Sequence, residues 1–501
     1  MSTTGPLVVV GDAILDCDIA GHVSRLCPDA PAPVLEDTAA AWRPGGAALA
    51  ALLAAAGGMP AVLVAPLGDD EASATVRALL EPHVTIVALP LTGPLPEKTR
   101  FLAGGRTLLR TDRGDGRAGS AGVKAAGEAA EAIAGAGAVL VSDYGRGTSA
   151  VEPLRTGLSG QAARVPLVWD PHPRGALPVA GTRLATPNYT EAVAAAGEPP
   201  PAGPRLRSAT AVARRVAGRW PADSVAVTLG EGGAVLVQGD AEPLAVPAAR
   251  LTVTDPCGAG DQFAVAAAAA LRDGALPSEA VTAATAAATA YLAAGGAARF
   301  TSPSRTGAAI SPHPPAEAPG SRAGEAPGNR AGEAPGNRTG TAGRGPRPAC
   351  DPAELARRVR AAGGTVVATG GCFDLLHAGH VSLLRAARSL GDCLIVCLNS
   401  DASVRRLKGD GRPLNHQADR AAVLSALDCV DAVAVFTEET PCAVLDRIRP
   451  DIWVKGGDYH GRELPETALL GTWGGTAVTV PYLSGRSTTR LAGGLTQGSR
   501  A

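Results

Sequence analysis

The sequence predicts an α/β protein with two folded domains, spanning 1–301 and 350–501, joined by a linker over 302–349. Three observations predict it. Short apolar, strand-like runs alternate with Ala-rich helical stretches from residue 7 to about 300, the pattern of a largely parallel sheet. Over 302–349 the aliphatic residues nearly vanish, and Glu-Ala-Pro-Gly-Ser/Asn-Arg recurs at 317, 325 and 333. That composition reads as a disordered or extended linker, since a short repeat without an apolar face builds no solenoid. Strand–helix alternation then resumes after Cys350, and 501 residues exceed one ordinary domain.

Composition narrows the function. With 46 basic against 47 acidic residues, nothing favours nucleic acid or an acidic membrane surface as a partner. The nine cysteines are scattered and form no Cys-x-x-Cys, so they read as reduced thiols of a cytoplasmic protein. No basic n-region precedes the strand at Leu7, so no signal peptide is expected. Two uncharged runs, Gly45 to Leu67 and Ala280 to Ala298, have membrane-spanning length. Gly57, Gly58 and Pro60 break the first into a helix and a strand, and packed core helices are the expectation for both. Lysine is rare: Lys98, Lys124, Lys408 and Lys455 are the only four. A Lys here points to a site that wants a compact ammonium.

Taken in order, strands are expected at Leu7–Val10, Ala61–Ala65, Ala138–Ser142, Leu167–Asp170, Leu184–Thr186, Ser224–Thr228, Ala234–Gln238 and Leu251–Val253. Ligand sites belong at their carboxyl ends. After the last comes Thr254-Asp-Pro-Cys-Gly-Ala-Gly-Asp261, then an apolar helix, Gln262 to Arg272. Gly258 and Gly260 let N–H groups turn inward around phosphate charge. Asp261 at the helix start can take the proton of a substrate hydroxyl during phosphoryl transfer. A plain Gly-rich turn with an Asp cap is the alternative. Asn188-Tyr-Thr-Glu191 also reads as a capping box.

Together with Gly45-Gly46 and Thr228-Leu-Gly-Glu-Gly-Gly233, these stretches resemble the ribokinase-like carbohydrate kinases, which carry a small β lid on their α/β domain. The resemblance implies Asp261 as base and Gly258, Ala259 and Gly260 as anion hole. It implies Asn188 and Glu191 as the pair ordering magnesium and its water, with Asn188, Thr228 and Gly230 as nucleotide contacts. Asp12, Asp16, Gly45 and Gly46 fall on the sugar side. Ser24 to Val34, Arg43-Pro-Gly-Gly-Ala-Ala48 and Ser142-Asp-Tyr-Gly-Arg-Gly147 are similar to the heptose 7-phosphate kinase subfamily. In that subfamily Lys98, Arg100 and Arg110 are candidates for holding the existing phosphate or closing the lid, with solvated strand residues as the alternative. Leu49, His172 and the pair Pro256-Cys257 depart from the family wording.

In the third part, a helix at Pro352–Ala362 and a strand at Thr365–Thr369 lead into Gly371-Cys-Phe-Asp-Leu-Leu-His-Ala-Gly-His380. His377 and His380 share a face if a helix begins near Leu376, where they can donate to a phosphate as charge builds on it. Zinc ligation lacks the partner Glu and an evident third ligand. Solvated helix-start residues remain an alternative. The ten-residue pattern resembles the nucleotidyltransferase superfamily of cytidylyltransferases and sugar-phosphate adenylyltransferases. Further stretches follow strand-like Cys393–Leu398 and Asp451–Val454: Lys408 in Arg405 to Arg412, Arg420, Lys455 and Asp458 in Val454 to Tyr459, and Arg486, Ser487, Thr488 and Thr489 near the end. The resemblance makes Lys408 catalytic beside both histidines. Gly371, Phe373, Asp374 and 486–489 become nucleotide contacts, and Arg420, Lys455 and Asp458 substrate contacts.

Across both domains, in the same order, the chain is similar to the bifunctional heptose 7-phosphate kinase / heptose 1-phosphate adenylyltransferases. That implies ATP in both reactions, magnesium, sugar phosphates as substrates, and a separate phosphatase acting between the two steps. Other sugar phosphates, CTP at the second site, a silent regulatory kinase half and a homodimer stay open.

Overall fold

The computed structural model describes residues 5–120, 122–253, 255–305, 351–456 and 465–481. The repeat linker, Asp458 and 486–489 lie outside the described residues.

The first domain forms around Leu7–Gly11, whose five residues are all buried. Strand Ala61–Pro66 pairs with it on one side and Ala138–Ser142 on the other, both parallel. The chain thus reverses direction across the sheet at Gly11, the place where α/β sheets open a crevice for ligands. Thr85–Leu89 extends one edge; Leu167–Asp170, Leu184–Ala185 and Val225–Thr228 extend the other, all parallel. Ala234–Val237 then turns back antiparallel, and Leu244–Val246 antiparallel to it.

Both uncharged runs pack into the core. Helix Ala47–Ala56 buries Ala47 through Ala54, and strand Ala61–Pro66 follows it. Pro277–Ala293 packs on helix Ala259–Arg272. Among the described residues no helix is long and apolar enough to cross a membrane.

A four-stranded lid rises beside the crevice. Ala13–Leu26 pairs antiparallel with Pro33–Gly46 and parallel with Glu97–Ala103, which pairs in turn with Arg106–Arg113. The first five residues of Ala13–Leu26 are buried at the crevice and its far end is exposed. Gly46 closes this lid onto helix Ala47–Ala56 at φ 58°, where a side chain would also crowd the Asp12 carbonyl oxygen at 2.6 Å.

The second domain is a parallel sheet in the order Ala432–Phe436, Cys393–Asn399, Val366–Gly371, Ile452–Gly456, Thr476–Val480. Its last strand pairs parallel with Leu244–Val246 of the first domain, joining both into one fourteen-stranded sheet. At this seam the Thr479 N–H donates to the Pro243 carbonyl at 2.8 Å, and the Thr467 hydroxyl to Glu242 Oε1 at 2.6 Å. One apolar cluster runs through the seam, from Val235, Val237 and Ala245 to Ile452, Val454 and Val478.

Three expectations shift. Leu251–Val253 forms no strand, and the following helix starts at Ala259 rather than Gln262. The helix of the second motif starts at Ala378, because His377 caps it: its Nδ1 accepts the Gly379 N–H at 3.1 Å.

Candidate active sites of the two domains

In the first domain Asp261 sits in the first turn of Ala259–Arg272, 6% exposed. The turn before it needs glycine: Gly258 has φ 79°, and a Cβ there would collide with the Tyr291 hydroxyl. That hydroxyl donates to the Cys257 carbonyl at 3.0 Å, pinning the loop. The Ala259 N–H is spent on the Pro256 carbonyl at 3.2 Å, which sets the turn. The Gly260 N–H belongs to the first helical turn, whose amides point outward along the axis toward an anion. Burial pushes the Asp261 carboxyl up to about 6, against a hydrogen bond from Tyr144 that lowers it; Asp16 raises it and Lys98 lowers it. The group is still mostly a carboxylate at neutral pH, yet far more basic than usual, as a proton acceptor should be.

Asn188, Thr228, Gly230, Ala259 and Gly260 line a single cavity of about 770 Å3, with Phe263, Ala288 and Leu292 as its apolar floor. Asn188 and Glu191 form a reciprocal box: Asn188 Oδ1 accepts the Glu191 N–H at 3.0 Å and Glu191 Oε2 the Asn188 N–H at 2.8 Å. The other Glu191 oxygen takes no part in the box.

On the far side of Asp261 the expected sugar-side residues divide. The Asp12 carboxylate is engaged within the protein: it accepts the backbone N–H groups of Tyr144, Arg146 and Thr148 and the Thr148 hydroxyl. It braces the 144–148 loop. Asp16, beside Gly45, is 4% exposed with Oδ1 lacking a hydrogen-bond partner. Its neighbours are Arg43 Nε at 3.9 Å and Arg100 Nη2 at 3.7 Å. Both arginines also pair with Asp18 and reach Cys257 Sγ. Lys98 lies 5.3 Å over the Tyr144 ring, and burial lowers its pKa. Arg110 is half-exposed and held by Asp112 at 2.7 Å, so Arg100 and Arg43 are the cations beside Asp16, and Lys98 is the cation that lowers the Asp261 pKa.

In the second domain the rings of His377 and His380 stack at 3.9 Å, and Phe373 backs His380 at 5.2 Å. Phe373 is 5% exposed and holds φ 43°, an uncommon conformation at the motif's tightest point. The His380 Nδ1 receives the His377 N–H at 3.4 Å. With Nδ1 accepting, a neutral ring carries its proton on Nε2, and the ring also has a hydrogen bond to the Leu375 backbone. Burial, His377 and Lys408 push the His380 pKa down to about 4, so the ring is neutral at physiological pH. Lys408 is exposed at the end of helix Asp401–Lys408.

Three expected ligand contacts are occupied otherwise. Arg420, 3% exposed, donates to the carbonyls of Asn415, Cys372 and Asn399 and to Asp401 Oδ1. It ties three loops together, and these bonds use its Nε, Nη1 and Nη2 within the protein. Asp374 accepts Arg412 Nη1 at 2.8 Å and the N–H groups of Leu414 and Asn415. Burial would raise its pKa, but these bonds hold it below the usual carboxylate range. Lys455 pairs with Glu466 at 3.6 Å and lies over Trp453. Gly371 ends its strand against the Phe373 ring.

The family models match these two regions separately. The pfkB family carbohydrate kinase model covers residues 6–305, and the cytidylyltransferase-like model 368–467. A relative in Streptomyces coelicolor, Bifunctional protein HldE, is 52% identical over 99% of this chain and 97% of its own length. The chain belongs to the HldE family. Bifunctional protein HldE of Azorhizobium caulinodans is 37% identical over 97% of each chain. Among solved structures, a ribokinase of Arabidopsis thaliana complexed with ribose and ATP has a TM-score of 0.46 at 22% identity, covering 59% of this chain and 95% of that one. As a member of the family the chain is a bifunctional enzyme: a ribokinase-like sugar kinase followed by a Rossmann-like nucleotidyltransferase.

Sequence reasoning assigned no role to Tyr144, Arg43 or Asp170. Tyr144 and Arg43 stand inside quoted motifs, and Asp170 ends a predicted strand, so the residues were visible and their partners were not. Asp170 is driven well above the usual carboxylate range by burial, Asp261 and Glu191. Asp170 thus feels the charge of both Asp261 and Glu191, while among the described residues no three Asp, Glu, His or Cys side chains gather closely enough to hold a metal ion directly, so Glu191 would meet magnesium only through water.

Proposed function

We propose that this enzyme phosphorylates a heptose 7-phosphate at its anomeric C1 hydroxyl and joins a heptose 1-phosphate to AMP from ATP, giving ADP-heptose and pyrophosphate. The observation that supports it most is the pairing, on one chain, of a buried, basic Asp261 with a stacked histidine pair in which His380 is neutral, each inside its own family motif. The HldE name of the relatives supports the heptose assignment.

In the first reaction the C1 hydroxyl oxygen attacks the γ-phosphorus of ATP, and the bond to the β–γ bridging oxygen breaks. Asp261 takes the hydroxyl proton. The Gly260 amide and the helix start meet the charge on the transferring phosphoryl group. Asp16 offers to a sugar hydroxyl its Oδ1, which takes no hydrogen bond although Arg100 pairs with it at 3.7 Å, and Lys98 with Arg100 supplies positive charge for the phosphate already present. Glu191 and Asn188 would hold the magnesium that shields the triphosphate.

In the second reaction a sugar phosphate oxygen attacks the α-phosphorus and pyrophosphate leaves. His377 and His380 donate to the α-phosphate oxygens as charge grows there, and Lys408 neutralises the leaving group. Neither step needs a covalent enzyme intermediate. The first product carries two phosphates and the second substrate one, so a separate phosphatase must act between them.

The test supplies each sugar phosphate with ATP or CTP and measures ADP and pyrophosphate separately. Heptose 7-phosphate with ATP should release ADP and accumulate bisphosphate with little pyrophosphate, until a phosphatase specific for C7 is added. Prompt stoichiometric pyrophosphate without it would overturn the two-step reading.

A further inference from the structure

We propose that Tyr144 is a positioning residue of the kinase, fixing through its hydroxyl which oxygen of Asp261 receives the substrate proton. The inference rests on the kinase reading of the first site and deepens it.

The geometry is a chain of fixed contacts. Asp12 grips the loop after Ala138–Ser142, accepting the Tyr144 N–H at 2.9 Å and three further bonds from Arg146 and Thr148. That grip sets the backbone of Tyr144, and its hydroxyl donates to Asp261 Oδ1 at 2.9 Å, across 117 residues of sequence. Burial and the carboxylates of Asp261 and Asp170 keep the phenol protonated far beyond its ordinary range, so the hydroxyl is a donor throughout the working pH. With Oδ1 held, Oδ2 is the oxygen left for the sugar hydroxyl. A carboxylate on a helix's first turn otherwise swings about its side-chain torsions, and a misplaced base loses much of its effect. Lys98 from the lid strand Glu97–Ala103 rests over the same ring at 5.3 Å, so the ring also carries the lid's cation toward the site.

During transfer the bond between the sugar oxygen and the γ-phosphorus forms, the bond to the ADP oxygen breaks with its electron pair, and the proton moves to Asp261 Oδ2. Tyr144 keeps its own proton throughout. The charged and titratable groups around Asp261 are Asp16, Asp170, Lys98, Tyr144 and Tyr291.

The experiment compares wild type with Tyr144→Phe in the full chain. The kinase kcat should fall about tenfold to a hundredfold with the KM for ATP within about twofold, because the hydroxyl serves the transfer rather than nucleotide binding. Loss of the donor should raise the Asp261 pKa, moving the acid limb of log kcat to higher pH by at least half a unit. Pyrophosphate release from a supplied sugar 1-phosphate should be unchanged, and an unchanged cooperative thermal melt verifies that the first domain of the variant folds. Fluorotyrosine at 144, a stronger donor of the same shape, should restore the rate and move the limb back toward wild type. An unchanged acid limb in Tyr144→Phe, or a loss of rate that fluorotyrosine fails to restore, overturns the inference. If wild type shows no sugar-dependent ADP release, the heptose reading fails by itself. The carboxyl 13C titration of Asp261 in wild type and Tyr144→Phe then still decides whether the hydroxyl holds that carboxylate.

Discussion

Asp261 and His380 are tuned in opposite senses for opposite tasks. Burial makes the acid more basic, with a pKa of about 6, and the imidazole less basic, at about 4. The kinase should therefore lose turnover as pH falls through about 6, while the transferase keeps a neutral His380 down to about pH 4. Parallel pH profiles of ADP and pyrophosphate release check this; a shared acid limb would refute it. Asp261→Asn should cut ADP formation by about 10²–10⁴ and leave pyrophosphate release intact. His380→Ala should cut the transferase rate by about 10²–10³ with nucleotide KM little changed. The same substitution has a stability signature. An unfolded histidine binds its proton near 6.5 and the folded one near 4. Between those values the unfolded state holds more protons, so stability is lost as pH falls from 6.5 toward 4. Thermal melts of His380→Ala should show less of that acid loss than wild type. These two residues were legible in the sequence because each lies in a contiguous motif with glycines beside it. Tyr144 and Arg43 were given no role, because their partners lie far away in the chain: Tyr144 meets Asp261 across 117 residues and Arg43 meets Cys257 across 214.

At the level of elements, the site depends on turns and braces that touch no ligand. Gly258→Ala combines a forbidden φ with a collision against Tyr291 and should cost about 1–3 kcal/mol locally, with the kinase lost before the fold. Arg420→Ala leaves Asp401 and three carbonyls without their shared donor, and should destabilise the second domain by about 3–5 kcal/mol. Chemical denaturation checks it: were Arg420 a substrate ligand, the KM for sugar phosphate would rise with stability unchanged. Parallel core strands such as Ala138–Ser142 were legible as unbroken apolar runs. The lid strands were not, since they are buried only near the crevice and their outer halves alternate irregularly. The absence of a strand at Leu251–Val253 shows the limit of apolar runs: those residues line the nucleotide cavity instead of joining the sheet.

The whole molecule is more than two beads on a tether. Its halves share strand pairing between Leu244–Val246 and Thr476–Val480, and an apolar layer runs through the seam. Cutting within Gly320–Gly340 should therefore leave a complex that elutes as one species, and expressing either half alone should expose a sheet edge and lower its solubility. Two independently eluting, fully active halves would show that the seam adds nothing. The segment Pro247–Ala249 sits at this boundary: Ala248 and Ala249 line the cavity of the first domain, while Pro247, Ala248 and Ala249 also form one bank of a groove whose other bank is Ala378, Val381 and Ser382 on the helix that begins at Ala378. One short segment thus borders the cavity beside Asp261 and the groove against the second domain at once. A solvent-sensitive dye attached at Ala249→Cys should change its emission when ATP is added and should stay unchanged on adding a sugar phosphate alone, so the same label would report occupancy of that cavity without stopping the reaction.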